Sequence, residues 1–398
     1  MNMEKEDLKR LKNRINWFCR NKINAFSPTI SPAPKAPKRN EIESIDGAIR
    51  YFRASGVPEI VVQRKYMGSY CDIYLHKNLE DTYFVSRNGY KVTHIDLQAA
   101  KESCAALHNR FDWSNLALVI IQSEMMPWSI LGKGLIDSEF IGYLNVHQNH
   151  CAHLKQSDLY RKIAAVKASS AYKAFQEDSQ TLTAKELSAK YPSHITRQYN
   201  SLAAFPVLDL DAYETAIQIY EQQINHFGRE GHISFKPFNI LKKIYEDGSE
   251  EFVNDNLSYG EVNDDEFLHL DIHTEEALEQ AINRVYEWFG VLSQHMEEGI
   301  VIKPRRAFIR NLPPAFKIRN NNYLTMIYGV DFREQYDYYL KKRNIKSKLE
   351  CSVNDWMLNW DMLKIPYKDI HEENYLLKNL VFDRIMGEKV EATLDITL

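Results

Sequence analysis

The chain has 398 residues, enough for two or three packed modules, and its 44% hydrophobic, 26% charged and 12% aromatic content is that of a globular protein rather than a disordered or fibrous one. A net charge of −4 excludes a surface coated in positive charge for duplex binding, although residues 303–319 carry Lys303, Arg305, Arg306, Arg310, Lys317 and Arg319 with no acid while 246–279 are acid-rich. The longest apolar runs are too short to span a bilayer, no apolar signal segment opens the chain, and the scattered Cys19, Cys71, Cys104, Cys151 and Cys351 fit reduced thiols, so a cytoplasmic location is expected.

Residues 5–22 read as a basic helical arm carrying Trp17 and Phe18, and a Pro- and Ser-rich loop follows at 27–37. Ile42, Ile45, Ala48, Ile49 and Phe52 recur at helical spacing and predict a helix over 41–55. Strand signals come next: Ile60-Val61-Val62 leading to Lys65, alternation over 71–75, then 83–85 and 90–93 flanking an Asn88-Gly89 turn, a hairpin signal. A helix is expected over 96–108 and a buried strand over 116–122. Residues 135–228 are rich in helix formers, and 210–227 is one amphipathic pattern ended by Gly228. Strands resume at 233–238, and Thr274 caps a helix over 275–289. The remainder predicts strands at 299–302, 315–318 and 323–328, then helices at 332–343, 354–363 and 369–386.

Four segments carry chemistry when taken in order. Lys65-Tyr66-Met67-Gly68-Ser69 places a lysine at a strand end before a glycine turn. Glu124 follows the strand at 116–122. Glu298-Gly299-Ile300-Val301-Ile302-Lys303 and Phe316-Lys317-Ile318-Arg319 come after the helical stretch. A lysine nucleophile needs its amine activated by a neighbouring cation or metal. A triphosphate needs Lys and Arg donors and a divalent ion to neutralise charge at the transferring phosphorus. Strand-end carboxylates can bind a ribose hydroxyl or position the water shell of the metal.

This order resembles the covalent nucleotidyltransferase superfamily of ligases and capping enzymes. A fuller set is similar to the ligase domain of the bacterial polynucleotide kinase-phosphatase-ligase: Ser27-Pro28-Thr29-Ile30-Ser31-Pro32, Gly56-Val57-Pro58, Lys65-Tyr66-Met67-Gly68-Ser69, Glu124-Met125-Met126-Pro127-Trp128-Ser129, Pro237-Phe238-Asn239-Ile240-Leu241, Glu298-Gly299 and Tyr323-Leu324-Thr325-Met326-Ile327-Tyr328-Gly329. The resemblance implies an α+β fold with an antiparallel nucleotidyltransferase (ATP-grasp-like ligase) core, an inserted helical module, a helical C-terminal module and no OB barrel. The expected divisions are 1–134, 135–228, 229–330 and 331–398. It further implies an ATP-dependent RNA ligase in which Lys65 takes AMP from ATP with Mg²⁺ or Mn²⁺ and passes it to an RNA 5′-phosphate, before a 3′-hydroxyl seals the break. By matching position, Gln63, Arg87, Glu124, Glu298, Lys303, Lys317 and Arg319 are expected around the nucleotide, with Glu298 also at the metal.

Three positions depart from the family pattern. Tyr70 stands where an arginine is usual, two residues after the motif glycine, with Arg64 and Arg87 as alternative cations. Gln63 and Arg64 stand where acids precede the lysine. No G-x-x-x-x-G-K-[ST] phosphate loop or binuclear phosphatase signature occurs, and the resemblance implies separate end-healing kinase, phosphatase or methyltransferase proteins as partners. Two alternatives stay open: a catalytically weakened nucleotide-binding subunit, and an adenylyltransferase acting on a non-RNA acceptor. His147, His150, Cys151 and His153 imitate a metal cluster, but only His147 and Cys151 share an i, i+4 face, and a solvated helix surface is expected. Gly132-Lys133-Gly134 reads as a loop, and Trp128 beside Pro127 as a structural corner.

Overall fold

The computed structural model describes residues 5–130, 134, 136–205 and 207–387. Ten strands form two five-stranded sheets. In chain order they are β1 (Ser31–Pro32), β2 (Glu59–Lys65), β3 (Ser69–His76), β4 (Tyr83–Ser86), β5 (Leu116–Met126), β6 (Ser234–Tyr245), β7 (Glu250–Phe252), β8 (Leu268–Asp271), β9 (Gly299–Pro304) and β10 (Phe316–Arg319). The first sheet runs β1-β10-β9-β2-β8 and is antiparallel except where β1 lies parallel to β10. The second runs β4-β3-β5-β6-β7 and is antiparallel throughout. Sixteen α-helices among the described residues complete an α+β protein, and neither sheet closes into a barrel.

Period-two alternation decides what each sheet shows to the cleft. In the first sheet Ile60, Val62, Ile300, Ile302, Phe316 and Ile318 turn outward. They bury against the helices Ile45–Ala54 and Glu275–Gln294. The longer helix is capped as expected, Thr274 accepting from Ala277 N–H, and its stripe Leu278, Ala281, Ile282, Val285, Trp288 and Leu292 is buried. Each large side chain of that stripe contributes about 1.5–3 kcal/mol of burial. The alternate residues Gln63, Lys65, Val301, Lys303, Lys317 and Arg319 therefore turn inward. In the second sheet Cys71, Ile73, Leu75, Val119, Ile121 and Met125 pack under the helices Leu97–Ser103 and Ala105–His108. On its inner face Tyr74, Leu118 and Ile120 are covered by Phe18, Phe26, Trp356, Leu363, Leu377 and Val381. Tyr70, Asp72, Gln122 and Glu124 continue that face toward the first sheet.

The helical stretch between β5 and β6 has a root and a tip. Its root helices, Ile141–Gln156 and Leu210–Phe227, share a core with Met67, Trp128, Tyr323 and Met326. Gly228 ends the second of them, its N–H donating to the Ile224 carbonyl. The tip comprises Asp158–Ala168, Ser170–Thr181, Ala184–Lys190 and Ser193–Ala203.

Several elements differ from the sequence reading. Residues 321–328 are a helix, not a strand, because the Asn320 side chain accepts from Tyr323 N–H and caps it. The 90–93 run makes only an isolated bridge, Val85 with Lys91, although the Asn-Gly turn is present with Gly89 at φ 79°. A Cβ there would lie 2.0 Å from the Phe18 ring, so the N-terminal helix Lys5–Arg20 seats on the turn and the returning chain diverges. β5 extends to Met126, so Glu124 lies inside the strand. The last helices are Tyr336–Lys342, Lys346–Leu363 and Tyr375–Gly387. Residues 1–4, the Gly132-Lys133 part of the expected loop and residues 388–398 lie outside the described residues.

Candidate active site

Lys65 closes β2 with its side chain on the inner face. Its Nζ lies 2.8 Å from Glu298 Oε1 and 2.9 Å from Oε2. The Glu298 side chain is 2% exposed and that of Lys65 23%, so the ammonium is reachable from the cleft while its counter-ion is not. Glu298 is placed by its backbone: Asn320 N–H donates to the Glu298 carbonyl at 3.0 Å, and Asn320 Nδ2 donates to the Glu297 carbonyl. The next residue must be glycine. Gly299 pairs with Lys65 on one side and Arg319 on the other, and a Cβ there would lie 2.0 Å from the Ile318 carbonyl oxygen.

The opposite wall is built around the motif glycine. Gly68 N–H donates to Glu124 Oε1 at 3.3 Å, and a Cβ on Gly68 would sit 2.7 Å from Glu124 Cγ and 2.5 Å from the Met125 carbonyl oxygen. Burial pushes the Glu124 carboxyl up to about 7, against the pull of Lys65, with Glu298 pushing the same way as burial. Two amines complete the enclosure. Lys303 is buried with Nζ 4.8 Å from the centroid of the Phe238 ring, and burial lowers it to about 7. Lys317 is lowered by burial and then by the neighbouring charges of Arg319 and Lys65. Among the described residues neither amine has a carboxylate within salt-bridge distance, although Glu43 and Glu298 lie near enough to pull Lys317 part of the way back up. Positive charge held away from water is costly, and an anion bound beside these amines would offset that cost.

The other expected residues sort by strand face. Gln63 Nε2 donates to the Phe238 carbonyl at 3.4 Å, joining the two sheets beside Lys303. Arg87 is exposed in the Asn-Gly turn, near enough to pull Glu124 downward. Arg319 is engaged: its Nε and Nη2 and its backbone N–H all reach the buried carboxylate of Glu43, which also takes Arg343. Arg64 lies on the face of β2 opposite Lys65 and pairs with Glu297 at 3.2 Å. Tyr70 donates to Asp72 Oδ1 at 2.6 Å and accepts from Gln122 Nε2 at 2.9 Å. Asn239 Nδ2 donates on to Gln122 Oε1 at 3.0 Å.

Sequence reading missed Glu43 and Asp72. Glu43 binds residues from β10 and the C-terminal region, and nothing local marks it. Asp72 is fully buried and raised to about 7 by burial, against the Tyr70 hydrogen bond. Its alternation with Tyr70 and Tyr74 on a strand was the available signal. Among the described residues no group of three His, Cys, Asp or Glu side chains is placed to hold a metal. The His147–Cys151 face is not solvated as expected: Cys151 is buried, and His147 Nδ1 lies 2.6 Å from Tyr213 Oη on the partner root helix. Trp128 packs edge-on against Phe140 at 5.6 Å, as a corner should. All five cysteines are free, and no described helix is long and apolar enough to cross a membrane.

Residues 20–375 match the family described as PNKP adenylyltransferase domain, ligase domain. A solved chain of the Pnkp1/Rnl/Hen1 RNA repair complex is 54% identical, with 99% of this chain and 100% of that chain aligned at a TM-score of 0.91. A second structure of the Pnkp1/Rnl/Hen1 complex gives 53% identity over the same shares at a TM-score of 0.89. No curated protein matches.

Proposed function

The chain belongs to the PNKP adenylyltransferase ligase-domain family, and from that premise we propose that it is an ATP-dependent RNA ligase that works through a lysyl-AMP on Lys65. The observation that carries this is the reachable Lys65 amine held by the buried Glu298 at the point where Glu124 and Lys317 converge. Lys65 Nζ attacks the α-phosphorus of ATP, an N–P bond forms, the bond to the bridging oxygen breaks and pyrophosphate leaves. The ammonium proton is lost to solvent, which reaches the partly exposed Lys65 side chain. An RNA 5′-phosphate oxygen then attacks the adenylyl phosphorus and the lysine departs. Finally a 3′-hydroxyl attacks the activated 5′-phosphorus, and AMP leaves with the bonding electrons.

In this reading Lys303 and Lys317 hold phosphate oxygens, because both amines are lowered chiefly by burial, Glu43 and Glu298 offset this only in part at Lys317, and a bound polyphosphate would restore their charge. Glu124 takes a ribose hydroxyl, Gln63 and the Phe238 backbone line the base side, and Arg87 closes over the nucleotide from the turn. Arg319 is committed to Glu43 and acts on the phosphates only by holding β10, and therefore Lys317, in place. The donor set fits a divalent ion of the Mg²⁺ or Mn²⁺ type. With no cage of three His, Cys, Asp or Glu ligands among the described residues, Glu298 would hold it together with substrate phosphate and water, and it would neutralise charge on the transferring phosphoryl group. We place the chain alongside separate end-healing and methyltransferase proteins in an RNA repair assembly, as the matched complexes suggest, and expect that assembly in the cytoplasm.

The test is covalent labelling. Protein incubated with α-labelled ATP and Mg²⁺ or Mn²⁺ should carry label after denaturation, and Lys65→Ala should carry none. Label that survives Lys65→Ala overturns the mechanism. Label that Lys65 cannot pass to 5′-phosphorylated RNA favours a non-RNA acceptor or a weakened subunit.

A further inference from the structure

The tip of the helical insert is absorbed by nothing in the mechanism. Its own core is aromatic: Tyr172 and Phe175 pack against Tyr191 and Tyr199, with ring centroids 5.1–5.2 Å apart. That core seats a short helix, Ala184–Lys190, a turn at Tyr191-Pro192 and a second helix, Ser193–Ala203. The first helix opens on a reciprocal capping box between Thr183 and Glu186. The second turns Ile195, Tyr199 and Leu202 inward at i, i+4, i+7. Its opposite stripe is His194, Arg197, Gln198 and Ser201, at i, i+3, i+4, i+7 and all exposed. Phe205, 40% exposed, follows it.

Charge separates this region from the rest of the chain. Residues 158–205 hold seven Lys and Arg against four Asp and Glu, whereas the whole chain holds 50 against 54. Three of the acids are occupied internally. Asp178 takes Lys190 and Tyr191, Glu186 takes Thr183, and Asp158 takes Arg161. The helix Ser193–Ala203 has no acid at all, and Arg197 has no ion-pair partner among the described residues. A rigid helix face of one Arg, two side chains that both donate and accept, a hydroxyl and a nearby aromatic matches the contacts that position a nucleic-acid backbone.

We propose that this face binds the sugar-phosphate backbone of the substrate RNA away from the break. The inference rests on the ligase reading and adds a second, remote contact to it. The root helix Ile141–Gln156, about 24 Å long, separates the tip from the cleft. RNA should therefore need a minimum length to engage both.

The full chain carrying His194→Ala, Arg197→Ala and Gln198→Ala tests this. All three residues are exposed, so folding should be retained, and a thermal melt checks that. Fluorescence anisotropy with a long 5′-phosphorylated RNA should show affinity lowered about tenfold and the slope of log affinity against log salt reduced by about one. A short 5′-phosphorylated oligonucleotide that fills only the cleft should bind as to the parent, and Lys65 labelling by ATP should be unchanged. Arg197→Lys alone should keep most of the salt slope. Parental affinity and salt slope on long RNA overturn the proposal, as does equal weakening for long and short RNA. A variant that keeps long-RNA affinity but loses a protein partner also overturns it and assigns the face to that partner. Absent Lys65 labelling combined with Arg197-sensitive RNA binding sinks the ligase reading and leaves this surface standing.

Discussion

Replacing Gly299 with alanine should damage both the first sheet and the chemistry. The new methyl would sit 2.0 Å from the Ile318 carbonyl oxygen and 2.9 Å from Arg319 Cα, where ordinary contact is 3.4–4 Å. Both neighbours are backbone, so no side chain can swing aside, and β10 must move by more than about 1 Å. Overpacking of this kind costs about 1–3 kcal/mol, which for a protein of this size lowers the melting temperature by a few degrees. The chemical penalty is larger. β10 carries Lys317, and Gly299 is also the pairing partner of Lys65, so the proposed nucleophile and the proposed phosphate donor separate. A misplacement near 1 Å costs about 10²-fold in rate. Single-turnover labelling with α-labelled ATP, run beside a thermal melt, reads both effects. Parental labelling rate with a parental melting temperature would show that the close approach of β9 and β10 does not set the site.

Other substitutions and conditions probe separate parts. Glu43→Gln leaves Arg319 and Arg343 without their shared buried counter-ion and should cost about 3–5 kcal/mol, read by chemical denaturation. Burial pushes Glu43 up, but Arg319 and Arg343 outweigh it and leave the carboxyl below its ordinary value. Its contribution is thus full above the unfolded carboxylate pKa and is lost as pH falls through the lower folded one, so Glu43→Gln should flatten the acid limb of the stability curve. Lys303 behaves oppositely. Its folded pKa of about 7 lies below the ordinary 10.5, so the unfolded chain binds the extra proton between those values, and stability rises with pH across that window. The same amine should recharge when a polyphosphate arrives. At pH 8 ATP binding should take up protons, seen as a buffer-dependent calorimetric heat that Lys303→Met diminishes. Tyr70→Phe removes the hydroxyl on Asp72 Oδ1 and the acceptor for Gln122, and should cost about 1–3 kcal/mol in denaturation with Lys65 labelling retained.

Much of the site was legible because its parts are punctuated locally. Lys65 before Gly68, and Glu298 before Gly299, mark places where backbone approaches too closely for a side chain, and such places leave glycines in the sequence. Strand alternation then put Lys303, Lys317 and Arg319 on one face. What was not legible depended on partners distant in the chain. Arg319 looks like a phosphate ligand until Glu43 is found against it. Arg64 looks like a spare cation until its face of β2 is known. Residues 323–328 form a short apolar run whose period does not distinguish helix from strand, and one asparagine cap at Asn320 decided it. The pairing of Tyr70 with Asp72 explains what the departure from arginine does locally: the position holds a buried acid rather than reaching for the cleft.

The pairing order of the first sheet has a consequence for how the protein is made. Lys65 emerges early from the ribosome, but β2 is flanked by β9 and β8, and the carboxylate that holds the lysine lies 233 positions further on. The cover over the inner face of the second sheet comes later still, from Trp356, Leu377 and Val381. A nascent chain thus carries an unpaired, apolar β2 through most of its synthesis, a state exposed to mispairing and a natural client for chaperones. The proposed nucleotide site is the last thing to be assembled, so a chain that stalls or is truncated before about residue 320 has Lys65 without the complete surround of Glu298 and Lys317.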